Sequence, residues 1–126
     1  MPWFEAHDTL PRHPKTLKLA SLLNIERREA VGILYELFAW GLFAAEKDGL
    51  LEGLSADDIG KALDFPTPKK RRMVVDALVS AGYLDYEDGS YYIHNWYEYA
   101  GKWNESREKN RESVRKHRQR RRKPND

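Results

Sequence analysis

Four consecutive cations are the group of residues in this sequence that most strongly indicates a chemical role. They are Lys69, Lys70, Arg71 and Arg72. The preceding Thr67-Pro68 is typical of a helix start, so the cations fall in the first turn of a predicted helix. A helix N-terminus already carries about half a positive charge, and each added cation there costs a few tenths to about 1 kcal/mol. The four cations therefore destabilise the helix on their own, whereas binding of a polyanionic ligand at the first turn would compensate for them.

A second basic group lies near the end of the sequence. Upstream of it, Glu105–Lys109 and Glu112–Lys116 have the i,i+4 spacing that supports a helix by about 0.2–0.5 kcal/mol per pair. Because this segment has no apolar face, we expect fraying or disorder from about Asn104, and ordering on a polyanion. The alternatives are a solubilising tail and an arginine-rich RNA-binding segment of the viral kind. Seven of the nine residues from 115 to 123 are cationic: Arg115, Lys116, Arg118, Arg120, Arg121, Arg122 and Lys123.

The two basic groups are hidden in the overall charge, because the chain divides into two parts of opposite sign. Residues 1–101 hold 11 Lys and Arg against 16 Asp and Glu, a net charge of −5. Residues 102–126 hold 11 against 4, a net charge of +7, and only two of their residues are apolar. The sequence therefore predicts one folded domain over 1–101 and a basic tail, partly helical or disordered, over 102–126.

Patterns typical of enzymes are missing from the sequence. It has no Cys, no Gly-rich phosphate-binding loop and no metal-ligand spacing among its four His residues. The acidic pair Asp57-Asp58 follows Ser55, so helix capping is the favoured interpretation over metal binding. We therefore expect no catalytic residue, no metal and no cofactor.

Membrane and export signals are also missing. The N-terminal residues include neither a basic start nor an apolar run, and the longest apolar stretch, from Ile33 to Ala45, is shorter than the roughly 20 residues of a bilayer span. We expect a soluble protein that works in the cytoplasm, without a membrane partner.

Periodicity and turn signals place the secondary structure around the first cationic group. The helix from Lys69 to Ala81 directs Val74, Val75, Leu78 and Ala81 inward. Asp88-Gly89 between two Tyr-rich strands is a strong hairpin signal. The remaining predicted elements are helices from Pro14 to Asn24, from Glu26 to Glu46, after Ser55 and from Trp96, with a short strand at Leu50–Leu54 and hairpin strands at Tyr83–Glu87 and Ser90–His94.

A short helix, a tight turn, a second helix and a hairpin are the order of a winged helix–turn–helix. The predicted fold class is mostly α with a small β-hairpin, with an extra N-terminal helix and a C-terminal basic helix or tail. In this arrangement Lys69–Ala81 is the recognition helix. By helical angle, Lys69 and Arg72 are the candidates for base edges, and Lys70 and Arg71 for phosphates. The wing tip, Asp85–Asp88, is acidic, which favours protein contacts there over DNA contacts.

Two aromatic-rich helices admit more than one interpretation. The helix Glu26–Glu46 is apolar almost all round, which indicates a core position or contact with a second subunit. Its apolar stripe includes Leu34, Leu37 and Phe38, whereas the first helix shows a stripe of Leu17, Ala20, Leu22 and Leu23. In the last helix, Trp96, Ala100 and Trp103 share one face, which favours docking on the core over base stacking. Trp3 and Phe4 are also predicted core residues.

Several spaced segments make residues 3 to about 103 resemble the N-terminal winged-helix domain of phage replisome organisers, the DnaD-like replication-initiation proteins. The segments are Trp3-Phe4-Glu5, Leu10-Pro11-Arg12-His13-Pro14-Lys15, Leu23-Asn24-Ile25, Glu29-Ala30-Val31-Gly32, Asp48-Gly49, Gly82-Tyr83-Leu84-Asp85 and Ile93–Gly101. The resemblance implies a protein that binds origin DNA, self-associates, and helps to bring the host helicase or its loader. Family members often carry a second domain, so a fragment and a short relative used as a repressor both fit a sequence that stops at Asp126.

The sequence thus predicts a DNA-binding protein of phage replication initiation, with duplex DNA preferred and single strands possible. It further predicts a homo-oligomer in the cytoplasm of a bacterial host. The alternatives are a phage transcriptional regulator, and a protein-interaction scaffold or inhibitor with no specific DNA site.

Overall fold

Five α-helices and a three-stranded antiparallel sheet build the part of the chain that the structure describes. The structure is a computed structural model that describes the backbone of residues 1–122 and the side chains of residues 1–109. A 3-10 turn at Leu10–Arg12 precedes the first helix. The elements are α1 (Pro14–Leu23), α2 (Arg27–Ala44), β1 (Leu50–Leu51), α3 (Ala56–Ala62), α4 (Pro68–Ala81), β2 (Leu84–Glu87), β3 (Ser90–Ile93) and α5 (Trp96–Arg122).

The predicted fold class is confirmed, because α3, α4 and the β2–β3 hairpin follow one another as in a winged helix–turn–helix. Asp88 and Gly89 both have positive φ, 51° and 81°, as the tight hairpin turn requires. The strand order is β1-β3-β2, so the short strand β1 completes the sheet by pairing with β3. Within the described helices, none combines the length and apolar content that a membrane crossing requires.

Local signals end α1 and α4 and start α3 where the sequence predicted, whereas α2 ends at Ala44, two residues before the predicted Glu46. Asn24 takes the left-handed conformation at the end of α1, with φ 51°, and Gly82 does the same after α4, with φ 89°. Ser55 and Asp58 form a capping box at the start of α3, and the hydrogen bond from the Ser55 N–H lowers the pKa of Asp58. The capping interpretation of this acidic pair is confirmed for Asp58.

The centre of the core is an aromatic cluster around Phe38 of α2. Tyr99 stacks on the Phe38 ring with ring centroids 4.1 Å apart. Phe4, Trp96 and Tyr83 contact the same ring at centroid distances of 5.8, 6.4 and 6.5 Å. Burial raises the pKa of Tyr99 to about 12. The N-terminal segment, the base of the wing and α5 are therefore all docked on α2 through one side chain.

The predicted phase of α1 is wrong by about one residue. Thr16, Leu19 and Ala20 are buried, whereas Leu17 and Leu22 are exposed. The reason is that Thr16 occupies a core position with its hydroxyl satisfied. That hydroxyl donates to the Leu10 carbonyl at 2.6 Å and lies 2.6 Å from the Tyr83 hydroxyl, which must then be the donor between the two. Burial raises the pKa of Tyr83 as well.

The last helix docks by the predicted face. Trp96 and Ala100 are buried, and Trp103 packs partly buried against the core. The backbone of α5 is helical as far as Arg122, so the helix includes the segment from Asn104 for which we expect fraying. Contacts with the body stabilise its middle: Lys102 pairs with Glu5 at 3.0 Å, Lys47 pairs with Glu108, and Arg107 lies over the Trp103 ring. Trp3, predicted in the core, is instead exposed and packs edge-on against Trp103.

Replacing Thr16 by Val should lower the free energy of unfolding by about 1–3 kcal/mol, because the Tyr83 hydroxyl loses its partner inside the protein and the Leu10 carbonyl keeps only the longer bond from the His13 N–H. Urea denaturation followed by circular dichroism measures the change. The double variant Thr16→Val with Tyr83→Phe removes both hydroxyls and should recover part of the loss. A double variant no more stable than Thr16→Val would contradict this hydrogen-bond chain.

Candidate nucleic-acid interface

Helix α4, the second helix of the helix–turn–helix, is packed very closely against α3. A Cβ atom placed on Gly60 of α3 would lie 2.7 Å from the Cα of Arg71 and 2.6 Å from its Cγ. Only glycine therefore allows the two helices to approach at this point. The inward residues of α4 predicted from the sequence, Val74, Val75, Leu78 and Ala81, are all buried and fix which face α4 turns outward.

Arg71 has a structural role where the sequence predicted a phosphate contact. Its Nε donates to the Phe65 carbonyl at 2.8 Å, and its Nη2 donates to the Pro66 carbonyl at 3.2 Å. Its Nη1 donates to Asp57 at 3.2 Å, and the Arg71 side chain is largely buried. Two bonds to the α3–α4 turn and one to Asp57 of α3 hold the guanidinium in place, so we leave Arg71 out of the proposed interface.

The other three cations of the cluster are exposed on the first turns of α4. The Thr67 hydroxyl accepts from the Lys70 backbone N–H at 3.2 Å, which confirms the predicted cap. The first turn contains no acidic residue. Among the described side chains, neither Lys69 nor Lys70 has an acidic partner within ion-pair distance, whereas Arg72 lies 3.8 Å from Asp76, one turn further along. This edge of α4 is therefore positively charged at its N-terminal end.

A groove of about 580 Å³ separates this face of α4 from the wing. Arg72 and Asp76 line its helix side, and Tyr86 and Tyr91 line its wing side. The two tyrosine rings contact each other with centroids 4.7 Å apart. Burial raises the pKa of Tyr91, and the nearby Arg72 acts in the opposite direction. The groove thus combines an aromatic wall with one cation and one carboxylate.

The acidic residues of the wing have two different environments. Asp85 accepts a hydrogen bond from Nδ1 of His94 at 2.8 Å, which ties the two strands together at the base of the hairpin. Glu87 and Asp88 are exposed at the tip. The tip therefore presents negative charge beside the groove and repels phosphate groups at that position.

Two further depressions lie outside this face. An apolar groove of about 500 Å³ lies between α2 and α4, with Ile33 and Met73 among its lining residues. A polar cavity of about 230 Å³ near the start of α1 is lined by His7, His13 and His94. Over the range where side chains are described, no three His, Asp or Glu residues are arranged to hold a metal ion.

The second cationic group predicted from the sequence, at residues 115 to 123, lies outside the side chains that the structure describes. The backbone of α5 includes Arg115, Lys116, Arg118, Arg120, Arg121 and Arg122, whose side chains lie outside the described residues. Lys123 lies wholly outside them.

The hairpin turn in the sequence is sufficient to indicate the aromatic wall. A two-residue turn at Asp88-Gly89 pairs Glu87 with Ser90, and hence Tyr86 with Tyr91, which is the register observed. Because cross-strand partners lie on the same face of a sheet, the two rings must meet. The groove itself depends on how α4 packs, which the local pattern does not give.

Comparison with known proteins leaves the function to be argued from the site, because no protein-family model, curated protein or solved structure matches the chain.

Gly60→Ala should lower the free energy of unfolding by about 1–3 kcal/mol, because the added methyl group forces α3 and α4 apart. Gly32→Ala is the matched control, since Gly32 also lies inside a helix but has open space around it. The control should raise stability by about 0.5–1 kcal/mol, as alanine favours the helix. Thermal and urea unfolding of both variants measure the difference, and similar effects of the two substitutions would contradict the close approach.

Proposed function

We propose that this protein is a DNA-binding winged-helix protein that contacts its target through the N-terminal end of α4. The observation that carries the proposal is the exposed cationic edge of Lys69, Lys70 and Arg72 at the recognition position of the fold. In helix–turn–helix docking, the N-terminal residues of the second helix are the ones that reach base edges and phosphates.

The energetics of the cluster support a ligand over a purely structural role. Lys69 and Lys70 oppose the helix dipole at the start of α4, and no acidic residue in the first turn offsets them, whereas Arg72 lies near Asp76. Arg71 differs from these cations, because its guanidinium is hydrogen-bonded within the helix–turn–helix. A polyanion docked at the first turn of α4 would replace the unfavourable interaction with favourable ones.

The basic tail supports the same ligand class. The tail has a net charge of +7 and the body a net charge of −5, so most of the attraction of the chain to DNA comes from the tail. In this proposal the tail contributes phosphate contacts that do not depend on sequence, and α4 selects the site.

The resemblance to phage replisome organisers gives the proposal its biological setting. We place the protein in replication initiation in the cytoplasm of a bacterial host, on origin DNA, self-associated and in contact with a host helicase or its loader. A transcriptional regulator would use the same interface on an operator. Footprinting on the source phage or prophage DNA separates the two, since protection would fall at the origin or at a promoter.

Charge reversal at the start of α4 tests the interface. The double variant Lys69→Glu with Lys70→Glu should weaken duplex binding at least tenfold at low salt, because two phosphate contacts become repulsive. Fluorescence anisotropy with a labelled duplex that contains the footprinted site measures the affinity.

The matched control reverses two cations near the C-terminal end of α4, far from Lys69 and Lys70. Lys15 donates to the Gly82 carbonyl at 3.4 Å, so the start of α1 lies beside the end of α4. Arg12 and Lys18 are exposed in that region. Arg12→Glu with Lys18→Glu changes the net charge equally and should weaken binding less than threefold. Equal losses in the two double variants would remove α4 from the interface.

Truncation after Val114 tests the tail. If five to seven tail cations contact phosphates, the slope of log affinity against log salt should become shallower by about 4 to 6. The same titration on a duplex of unrelated sequence should show the same change, because the tail does not read bases. An unchanged slope would make the tail incidental to DNA binding.

A protein-interaction module is the second candidate function. It is favoured by the apolar groove between α2 and α4 and by Phe43, which is 79% exposed on α2. In that case the wild-type protein would not bind duplex DNA even at low salt.

A further inference from the structure

The groove between α4 and the wing has the composition of a site for an unpaired nucleobase. We propose that one base of a single strand stacks on Tyr86 of the Tyr86–Tyr91 pair while its phosphate lies at Arg72. This inference rests on the proposed function and adds to it a ligand form, single-stranded nucleic acid, and a place where that form is recognised.

The aromatic wall provides the stacking surface. Tyr86 and Tyr91 are cross-strand partners in the hairpin, with ring centroids 4.7 Å apart and ring planes inclined by 50°, so Tyr91 contacts Tyr86 from one side and a base can stack on the Tyr86 ring alone. Tyr86 keeps 57% of its surface exposed. A ring that is braced on one side and open on the other is suited to receive a planar ligand, and every base has a face that can stack there.

The charges in the groove favour a neutral ring over a phosphate. Arg72 is the one cation among the lining residues, and it lies on the α4 side. Asp76 lies next to it, and the groove reaches Gly89, which follows Asp88 at the acidic wing tip. A phosphate is attracted at Arg72 and repelled elsewhere along the groove, whereas an uncharged base is not repelled. The groove therefore orients a nucleotide with its phosphate towards α4 and its base towards the wing.

The dimensions and polar groups agree with this occupant. The volume of about 580 Å³ is within the range of small-ligand sites. Ser80 lies on the helix side with Arg72, where its hydroxyl can donate to a phosphate or sugar oxygen. Duplex DNA fits less well, because its bases stay stacked inside the helix and its backbone would meet Glu87 and Asp88.

Substitution of the exposed tyrosine tests the site. A labelled single strand of about 12 nucleotides and the duplex of the same sequence are titrated with the full-length protein by fluorescence anisotropy. Tyr86→Ala should weaken single-strand binding about five- to tenfold and change duplex binding less than twofold. Tyr86→Phe keeps the ring and should bind the single strand like the wild type.

The matched control is a tyrosine outside the groove. Tyr97 on α5 is 69% exposed, and Tyr97→Ala should leave single-strand binding unchanged. Photocross-linking of a 5-iodouracil-substituted single strand provides a second readout, because this base couples to the aromatic ring on which it stacks. Peptide mass spectrometry should find the adduct on Tyr86 or Tyr91, and an adduct confined to other residues would overturn the site.

The outcomes separate this inference from the proposed function. Duplex binding that depends on Lys69 and Lys70, together with no single-strand binding, would overturn the base site alone. An equal loss of single-strand and duplex binding in Tyr86→Ala would also overturn it, because the ring would then act in both complexes. Absence of binding to either form by the wild-type protein would overturn both proposals.

Discussion

The buried ring of Phe38 is the contact on which the arrangement of this molecule depends. Four aromatic side chains from the N-terminal segment, the base of the wing and α5 surround it. None of these segments has a core of its own, since β2 and β3 are four residues each and the N-terminal segment before residue 10 contains no helix or strand. The direction of the wing relative to α4 therefore depends on packing around α2.

The second constraint acts within the helix–turn–helix and divides the cationic cluster by role. Gly60 allows α4 to approach α3 closely, and the approach brings Arg71 over the turn. The neighbours of Arg71 then point to solvent, because successive helical residues are rotated by about 100°. One cation stabilises the turn while Lys69, Lys70 and Arg72 are presented outward, so adjacent residues of the same charge serve different purposes.

The helix ends, the hairpin and the inward face of α4 could be predicted from the sequence, because each depends on residues close together in the chain. The local signals are Asn24, Gly82, Asp88-Gly89 and the Ser55 cap. The buried face of α1 was predicted wrongly because the pattern treats threonine as a surface residue. Thr16 is buried because its hydroxyl bonds to the carbonyl of Leu10, in the preceding 3-10 turn, and to the hydroxyl of Tyr83, which is distant in sequence. The hydrogen bonds of Arg71 were not predicted for a similar reason. Its partners Phe65, Pro66 and Asp57 become neighbours only when α3 and α4 pack, and no periodicity encodes that.

The docking of the N-terminal segment on α5 has a consequence for how the chain folds during synthesis. The backbone N–H of Glu5 donates to the Tyr99 carbonyl at 2.7 Å, and Trp3 packs on Trp103. These partners emerge from the ribosome roughly 5 to 20 s after the residues they bind. Throughout that interval Trp3 lacks its native contact with α5, so this docking comes after the helices that precede α5 have been synthesised. Contacts of such high sequence separation slow folding, although most of the helices can form from local contacts before it.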